Sequence, residues 1–288
     1  MIGISNGFDG LIDGTFRALG ARDVGGILPH GGTILQTRRS ERFFKPEHRQ
    51  AARHQAQTAG IDALVVIGGE GSMRGAHALA GLGMRVMVVP ASIDNDMVGT
   101  DVSIGVDTAL NTIVDAVDKL RDTASSHTRC FLVETMGRGC GYLAVVAGVV
   151  CGAEMVLVPE IESSVSEVLD AIRDAHRRGK SNAIIIVAEG AGTRIGELLK
   201  AIEETDVGFH ARASRLGHIQ RGGSPTAFDR MLAARLGRKA VDALLAGESD
   251  ALVGLSGRTI ETVPVRDIID RQREPSLEYF EMVKVLAR

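Results

Sequence analysis

The sequence predicts an α/β protein with two helix-flanked sheets, and three observations carry that expectation. Apolar runs of strand length at residues 63–67, 85–89, 130–133, 155–158 and 183–188 alternate with stretches whose apolar residues recur at helical spacing. Several runs exit into glycine or acidic loops, as at residues 68–72 and 92–96, the position where open α/β sheets bind ligands. With 288 residues, 44% of them hydrophobic, the chain can bury the core of two ordinary domains or one large one. No short repeat, low-complexity linker or compositional domain boundary interrupts it.

Taken in order, residues 1–5 suit a short strand followed by a polar loop at Asn6, Gly7 and Asp9. Beyond Gly31, Gly32 and Thr33, the cluster Arg38, Arg39 and Arg42 reads either as a solvated charge run or as a phosphate contact. Residues 63–67 (ALVVI) then enter GGEGS at 68–72, followed by helix formers at 73–82. Glycines let backbone N–H groups approach an anion, and the helix start adds partial positive charge. Glu70 inside such a cradle would repel phosphate unless a divalent cation intervened, which points to Mg2+. Residues 85–101 (RVMVVPASIDNDMVGTD) form a strand stopped at Pro90 that delivers Ser92, Asp94 and Asp96 to an edge. An Asp/Asn turn that closes its own hydrogen bonds is the alternative there.

Val106, Ala109, Ile113, Val117 and Leu120 predict a long amphipathic helix over 106–125. The second half repeats strand and helix at 130–133, 142–150, 155–158, 165–178 and 183–188, a second sheet covered on both faces. Its strands exit to Glu134, Met136, Gly137 and Arg138, and to Glu189 and Gly190, which puts a guanidinium and a carboxylate on one edge. LGHIQRGGSP at 216–225 brings His218 and Arg221 to a glycine bend with Arg212 just upstream, a cation set suited to a phosphomonoester. Residues 227–245 read as a helix, 252–265 as a strand pair across Ser256 and Gly257, and 277–286 as a closing helix.

Composition narrows the function classes. Thirty-three Lys and Arg against 36 Asp and Glu leave a charge of −3, so there is no general field to hold a nucleic acid. Cys130, Cys140 and Cys151 have no metal-ligand spacing and read as small core residues of a reducing compartment. No secretory leader is recognisable, and Gly148, Gly152 and Glu154 break the most apolar stretch, so a cytoplasmic protein without a membrane span is expected.

GGEGS (68–72), SIDND (92–96), GTD (99–101), RDTASSH (121–127), ETMGRGCG (134–141) and LGHIQRGGSP (216–225) occur in one order, and with them the chain resembles the 6-phosphofructokinases of the bacterial type. That resemblance implies two three-layer α/β/α domains with mainly parallel sheets and an active site in the cleft between them. Residues 1–105 plus 220–270 would bind nucleotide, and residues 106–219 plus 271–288 sugar phosphate. It implies transfer of the γ-phosphate of ATP to the 1-hydroxyl of fructose 6-phosphate, with Asp94 as general base, Ser92 beside the acceptor and Arg138 on the phosphoryl group. Ile93, Met136, Gly137, Glu189, Ile219 and Gln220 would complete the sugar site, and Arg129, Arg212, His218 and Arg221 the 6-phosphate site. Arg129 and Arg212 would come from a neighbouring subunit of a homotetramer. ATP would contact Arg39, Ser40, Gly69, Gly71 and Ser72, with Glu70 on Mg2+. An ADP- or phosphoenolpyruvate-type effector would bind at Arg121, Gly152, Ala153, Glu154, Arg178, Lys180, Ser181 and Asn182.

Gly71 and Ala91 bear on the donor, because relatives that use diphosphate carry an acid and a lysine at these positions. Both residues favour ATP. Two departures stand out: the family opens with a further strand, a GGD-x-x-G-x-N loop and a helix, roughly 30 residues, and it has Asp where this chain has Glu70. The first reads as a start placed too far downstream. The competing readings are a sugar-phosphate-binding homologue that has lost nucleotide binding and a diphosphate-dependent version. A lipid or NAD kinase is disfavoured by the segment from His218 to Arg221.

Overall fold

A computed structural model describes residues 1–125, 128–275 and 277–287; Ser126 and His127, the end of RDTASSH, lie outside the described residues. In chain order the elements are β1 (Ile2–Ile4), α1 (Gly7–Asp13), β2 (Phe16–Ala18), α2 (Pro46–Thr58), β3 (Ala63–Gly68), α3 (Glu70–Ala80) and β4 (Arg85–Pro90). There follow α4 (Val106–Ser125), β5 (Arg129–Thr135), α5 (Tyr142–Cys151), β6 (Met155–Leu157), α6 (Val165–Arg177), β7 (Ala183–Ala188), α7 (Ile195–Glu203) and β8 (His210–Arg215). The chain closes with α8 (Ala227–Leu245), β9 (Ala251–Ser256), β10 (Thr259–Pro264) and α9 (Leu277–Leu286). Among the described residues no helix is long and apolar enough to cross a membrane.

The chain divides into two compact units. The first comprises Met1–Ser92, Met97–Ile104 and Ser224–Gln272, and the second Ile93–Asp96, Gly105–Gly223 and Arg273–Arg288. Residues 93–96 and 220–223 thus make their contacts in the second unit.

In the first unit the sheet order is β10-β9-β4-β3, with β3, β4 and β9 parallel and β10 antiparallel to β9. Side chains alternate across a strand, so β4 serves two cores at once. Val86 and Val88 pack with Leu64, Met73, Leu79, Ala52 and Ala56, and Met87 and Val89 pack on the opposite face with Leu232, Leu236, Ala240 and Val253. β3 is an edge strand, and its Ile67 is 65% exposed. A small separate pair, β1 with β2, lies at the N-terminus.

In the second unit β6-β7-β5-β8 is wholly parallel. Every residue of β7 is buried, as expected of a strand covered on both faces. Cys130, Leu132, Ile185 and Val187 form one core with Val168, Ile172 and Leu198 of α6 and α7. The α6 start is fixed by a capping box, in which the Ser164 Oγ accepts the Glu167 N–H and the Glu167 carboxylate accepts the Ser164 N–H. Cys130 and Cys151 are core as expected, and burial pushes their thiols up to about 12 and about 11. Cys140 is only half-buried, because it sits in the loop after β5.

The GTD motif has a structural task. The Leu255 N–H donates to Thr100 Oγ1 (3.0 Å), the Asp101 N–H to the Leu255 carbonyl (2.8 Å), and the Gly257 N–H to Asp101 Oδ2 (2.7 Å). This docks residues 99–101 on the end of β9, so close that a Cβ at Gly254 would lie 1.8 Å from the Gly99 carbonyl oxygen. Gly254→Ala is therefore expected to destabilise the first unit by about 1–3 kcal/mol, measured as a lower denaturation midpoint. An unchanged midpoint would show that the motif does not hold β9 in this way.

Candidate active site

The glycine turn GGEGS lies in the first unit. β3 ends at Gly68, Gly69 is the N-cap of α3, and no side chain caps that helix. The N–H groups of Gly69, Glu70 and Gly71 have no protein acceptor among the described residues, which leaves an anion cradle at a helix start. A Cβ at Gly71 would meet nothing within 4 Å, so the space over the turn is open. Ser72 folds back beneath the turn, its Oγ 2.4 Å from where a Gly68 Cβ would stand, and Ser92 lies beside Gly69.

Glu70 is already engaged: Arg74 one turn on donates to its Oε1 from Nε (3.0 Å) and Nη2 (2.8 Å), and is itself anchored on the Ile269 carbonyl and Asp270. The Oε2 has no protein partner among the described residues. One part-exposed carboxylate at a phosphate cradle fits a Mg2+ held mainly by nucleotide oxygens. Among the described residues there is no group of three or more side chains that would hold a metal unaided.

The arginine cluster is held by α1, a helix where the sequence predicts a polar loop. Asp9, 8% exposed, accepts the Ser40 hydroxyl and pairs with Arg38 (3.5 Å). Asp13 holds Arg42 through two bonds of 2.8 and 3.0 Å, and that guanidinium keeps the Asp13 carboxyl below its usual range. Arg39 alone of the three makes no ion pair among the described residues, and it is exposed. The two acids of α1 thus pin this segment and leave the Arg39 side chain exposed.

A separate cluster of acidic and basic side chains lies in the second unit, at the exits of β5, β7 and β8. Asp94 is 3% exposed; its Oδ2 lies 3.3 Å from Nε of Arg138, and its Oδ1 is buried with no hydrogen-bond partner among the described residues. Burial pushes its carboxyl above the ordinary value, Arg138 and Arg221 pull it down, and Asp96 and Glu189 push it up, with a net rise. Asp96 Oδ1 is likewise buried without a partner, and Ile93 packs beside Gly105.

Arg138 reaches Asp94 from a constrained loop. Its φ is +51°, and Gly137 (φ +153°) could not carry a Cβ, which would fall 2.4 Å from the Cys140 carbonyl oxygen. Glu189 Oε1 accepts the N–H groups of Gly137 (3.2 Å) and Arg138 (2.7 Å), and Gln220 Oε1 accepts that of Met136 (2.9 Å). Gly190 completes the fit, since a Cβ there would lie 2.0 Å from the Arg138 carbonyl oxygen. Sequence reasoning named Glu189 and Gln220 as sugar contacts and missed their grip on this loop, because the partners are 52 and 84 residues away.

The four expected phosphate cations lie on or beside one sheet edge. Arg129 begins β5, Arg212 lies on the adjacent edge strand β8, and His218 and Arg221 lie in the 3-10 turn Gly217–Arg221 that follows. Arg212, His218, Ile219 and Arg221 are exposed, whereas Gln220 is 1% exposed.

The residues expected to bind an effector form a separate cluster. Arg121 donates to the Cys151 carbonyl, Gly152 is the left-handed cap of α5, and Ala153 is buried. The nearly buried Glu154 carboxylate accepts from Lys180 (2.9 Å) and Arg178 (3.3 Å), and both cations also donate to the Ala287 carbonyl. Ser181 and Asn182 contact each other at the rim.

The family described as Phosphofructokinase matches residues 1–244. The ATP-dependent 6-phosphofructokinase of Thermotoga neapolitana is 48% identical over 288 residues, all of this chain and 90% of that protein. A Thermus thermophilus protein named ATP-dependent 6-phosphofructokinase 1 is 46% identical over 290 residues, 100% of this chain and 89% of its own. Among solved structures, phosphofructokinase from Saccharomyces cerevisiae superposes with a TM-score of 0.89 at 33% identity over 99% of this chain and 43% of that one. The Pichia pastoris enzyme in the T-state gives 0.88 at 33% identity, over 92% of this chain and 31% of that one. A pyrophosphate-dependent phosphofructokinase from Marinobacter aquaeolei shares the fold (TM-score 0.81, 97% of this chain and 81% of that one) at only 17% identity. With the family pattern over most of its length and near-half identity to these relatives, the chain belongs to the phosphofructokinase family.

Proposed function

We propose that the chain transfers the γ-phosphate of ATP to the 1-hydroxyl of fructose 6-phosphate, giving fructose 1,6-bisphosphate. The observation that carries this reading is Asp94: a buried carboxylate with one oxygen beside a guanidinium and the other without a partner. Its raised affinity for protons makes it a stronger base than an exposed aspartate, and the unpartnered Oδ1 is suited to accept the hydroxyl proton. Arg138 then stabilises negative charge on the transferring group, and Ser92 lies beside the acceptor.

Gly69, Glu70, Gly71 and Ser72 cradle the nucleotide phosphates, with Arg39 and Ser40 as further contacts. Glu70 would hold Mg2+ there, and the ion would supply charge neutralisation for the nucleotide phosphates. The open space over Gly71 suits the α-phosphate of ATP and supports it over diphosphate as donor. Arg129, Arg212, His218 and Arg221 hold the 6-phosphate, Arg129 and Arg212 across a subunit boundary of a cytoplasmic homotetramer. The cluster from Arg121 to Asn182 takes an ADP- or phosphoenolpyruvate-type effector.

Purified protein given ATP, Mg2+ and fructose 6-phosphate should form fructose 1,6-bisphosphate, and diphosphate should not replace ATP. Absence of turnover with fructose 6-phosphate binding intact would refute the kinase reading. Asp94→Asn should lower kcat by roughly 10²- to 10⁴-fold with little change in sugar-phosphate affinity, and wild-type turnover would remove Asp94 from the role. Arg212→Ala should raise KM for fructose 6-phosphate more than KM for ATP; the reverse order would reassign the anion site.

Stability gives a separate check on Asp94. Because its native carboxyl holds the proton more tightly than the unfolded one, the fold loses stability from this group as pH rises from the ordinary aspartate value through the raised one. Asp94→Asn, which cannot ionise, is therefore expected to raise Tm at pH 7, with the gain shrinking below that window. A lower Tm at pH 7 would mean that the charged form is the one the fold favours.

A further inference from the structure

Gln220 is fully buried, yet its two amide atoms have different fates. Oε1 accepts the Met136 N–H at 2.9 Å, while Nε2 is buried with no hydrogen-bond partner among the described residues. A side chain in contact with bulk water could turn to satisfy both ends; this one is fixed by a single bond to the loop that carries Arg138. The three consecutive N–H groups of residues 136–138 are all taken by side chains, one by Gln220 and two by Glu189. They hold a backbone that a free chain disfavours, with Arg138 in the left-handed region. Glu189 is exposed and grips the loop only after Met136, whereas Gln220 grips it where it leaves β5.

We infer that Gln220 is a positioning residue, whose carboxamide oxygen holds the start of the 136–138 loop and thereby sets Arg138 against Asp94. This deepens the kinase reading and rests on it for its effect on turnover, but not for the geometry. The charged groups that act on Asp94 are Arg138, Asp96, Glu189 and Arg221. Of these, Arg138 lies on the loop that Gln220 holds, and it opposes the rise caused by burial. Releasing the loop should therefore weaken Arg138's pull on Asp94 and raise the pH at which the base becomes active.

The test is Gln220→Met, which keeps the length and apolar bulk of the side chain and removes the acceptor, with Gln220→Glu, which keeps an acceptor oxygen, as the conservative variant. Amide hydrogen exchange of Met136, Gly137 and Arg138 should quicken by roughly 10-fold or more in the Met variant, the scale of one buried N–H losing its partner, and stay protected in the Glu variant. In fructose 6-phosphate turnover with ATP, the Met variant should lose kcat by a similar factor, keep KM for ATP, and show the acid limb of its rate profile moved to higher pH. The Glu variant should recover most of the kcat. Wild-type exchange together with an unmoved acid limb in Gln220→Met would overturn the inference, as would equal loss in both variants. Should the Met variant not fold, Gln220→Ala is read by the same two criteria. If the wild-type protein does not turn over fructose 6-phosphate, the kinase reading fails alone, and the exchange comparison still decides the role of Gln220.

Discussion

A carboxylate withdrawn from water is tolerated only when something answers its charge, and in the second unit that requirement shapes the loops around Asp94. Arg138 supplies the answer at 3.3 Å, but it does so from a backbone in the left-handed region. The strain has to be held elsewhere, and the holders are the Glu189 and Gln220 side chains together with the bare Cα atoms of Gly137 and Gly190. The parallel order of β7, β5 and β8 makes this possible, since it puts the exits of three neighbouring strands at one end of the sheet. The Asp94–Arg138 pair and its scaffold are thus one connected system, and substitutions within it will not act independently.

The first unit solves a different problem. Its glycine turn leaves N–H groups without a protein acceptor among the described residues, and the acids of α1 and the first turn of α3 are each paired within the fold. Glu70 is answered by Arg74, Asp9 by Arg38 and Ser40, and Asp13 by Arg42. What is left over, chiefly Arg39 and the start of α3, is positive. Charges here are paired off rather than accumulated, in keeping with a net charge of −3.

Legibility from sequence followed the physics of burial. β7 and α8 were read with their observed bounds, because one is a continuous β-branched run and the other a long stretch opened by Thr226, whose side chain caps the helix. α2 was not seen: only Ala52 and Ala56 of its 13 residues are buried, too faint an apolar stripe to read. α1 was taken for a loop because of its glycines, yet Gly10 is there for close packing, a Cβ at that point falling 1.6 Å from the Ser5 carbonyl oxygen. β8 reads HARASR, polar because it is an edge strand. At the site, the residue types were legible and the pairings were not. Nothing in the local sequence says that Gln220 will meet Met136 or that Arg74 will cross to Ile269, since these contacts exist only once the elements have packed. Glu70 with Arg74, at helical spacing of four, is the one pairing that a closer look at the sequence could have found.

The last turn of α9 has a role that its position at the end of the chain conceals. Its Ala287 carbonyl and the Glu154 carboxylate together occupy Arg178 and Lys180, so these cations have counter-charges from within the fold. A helix end carries partial negative charge of its own, and here it is turned on these two cations. How firmly they are held therefore follows how firmly α9 packs on α5 and β6.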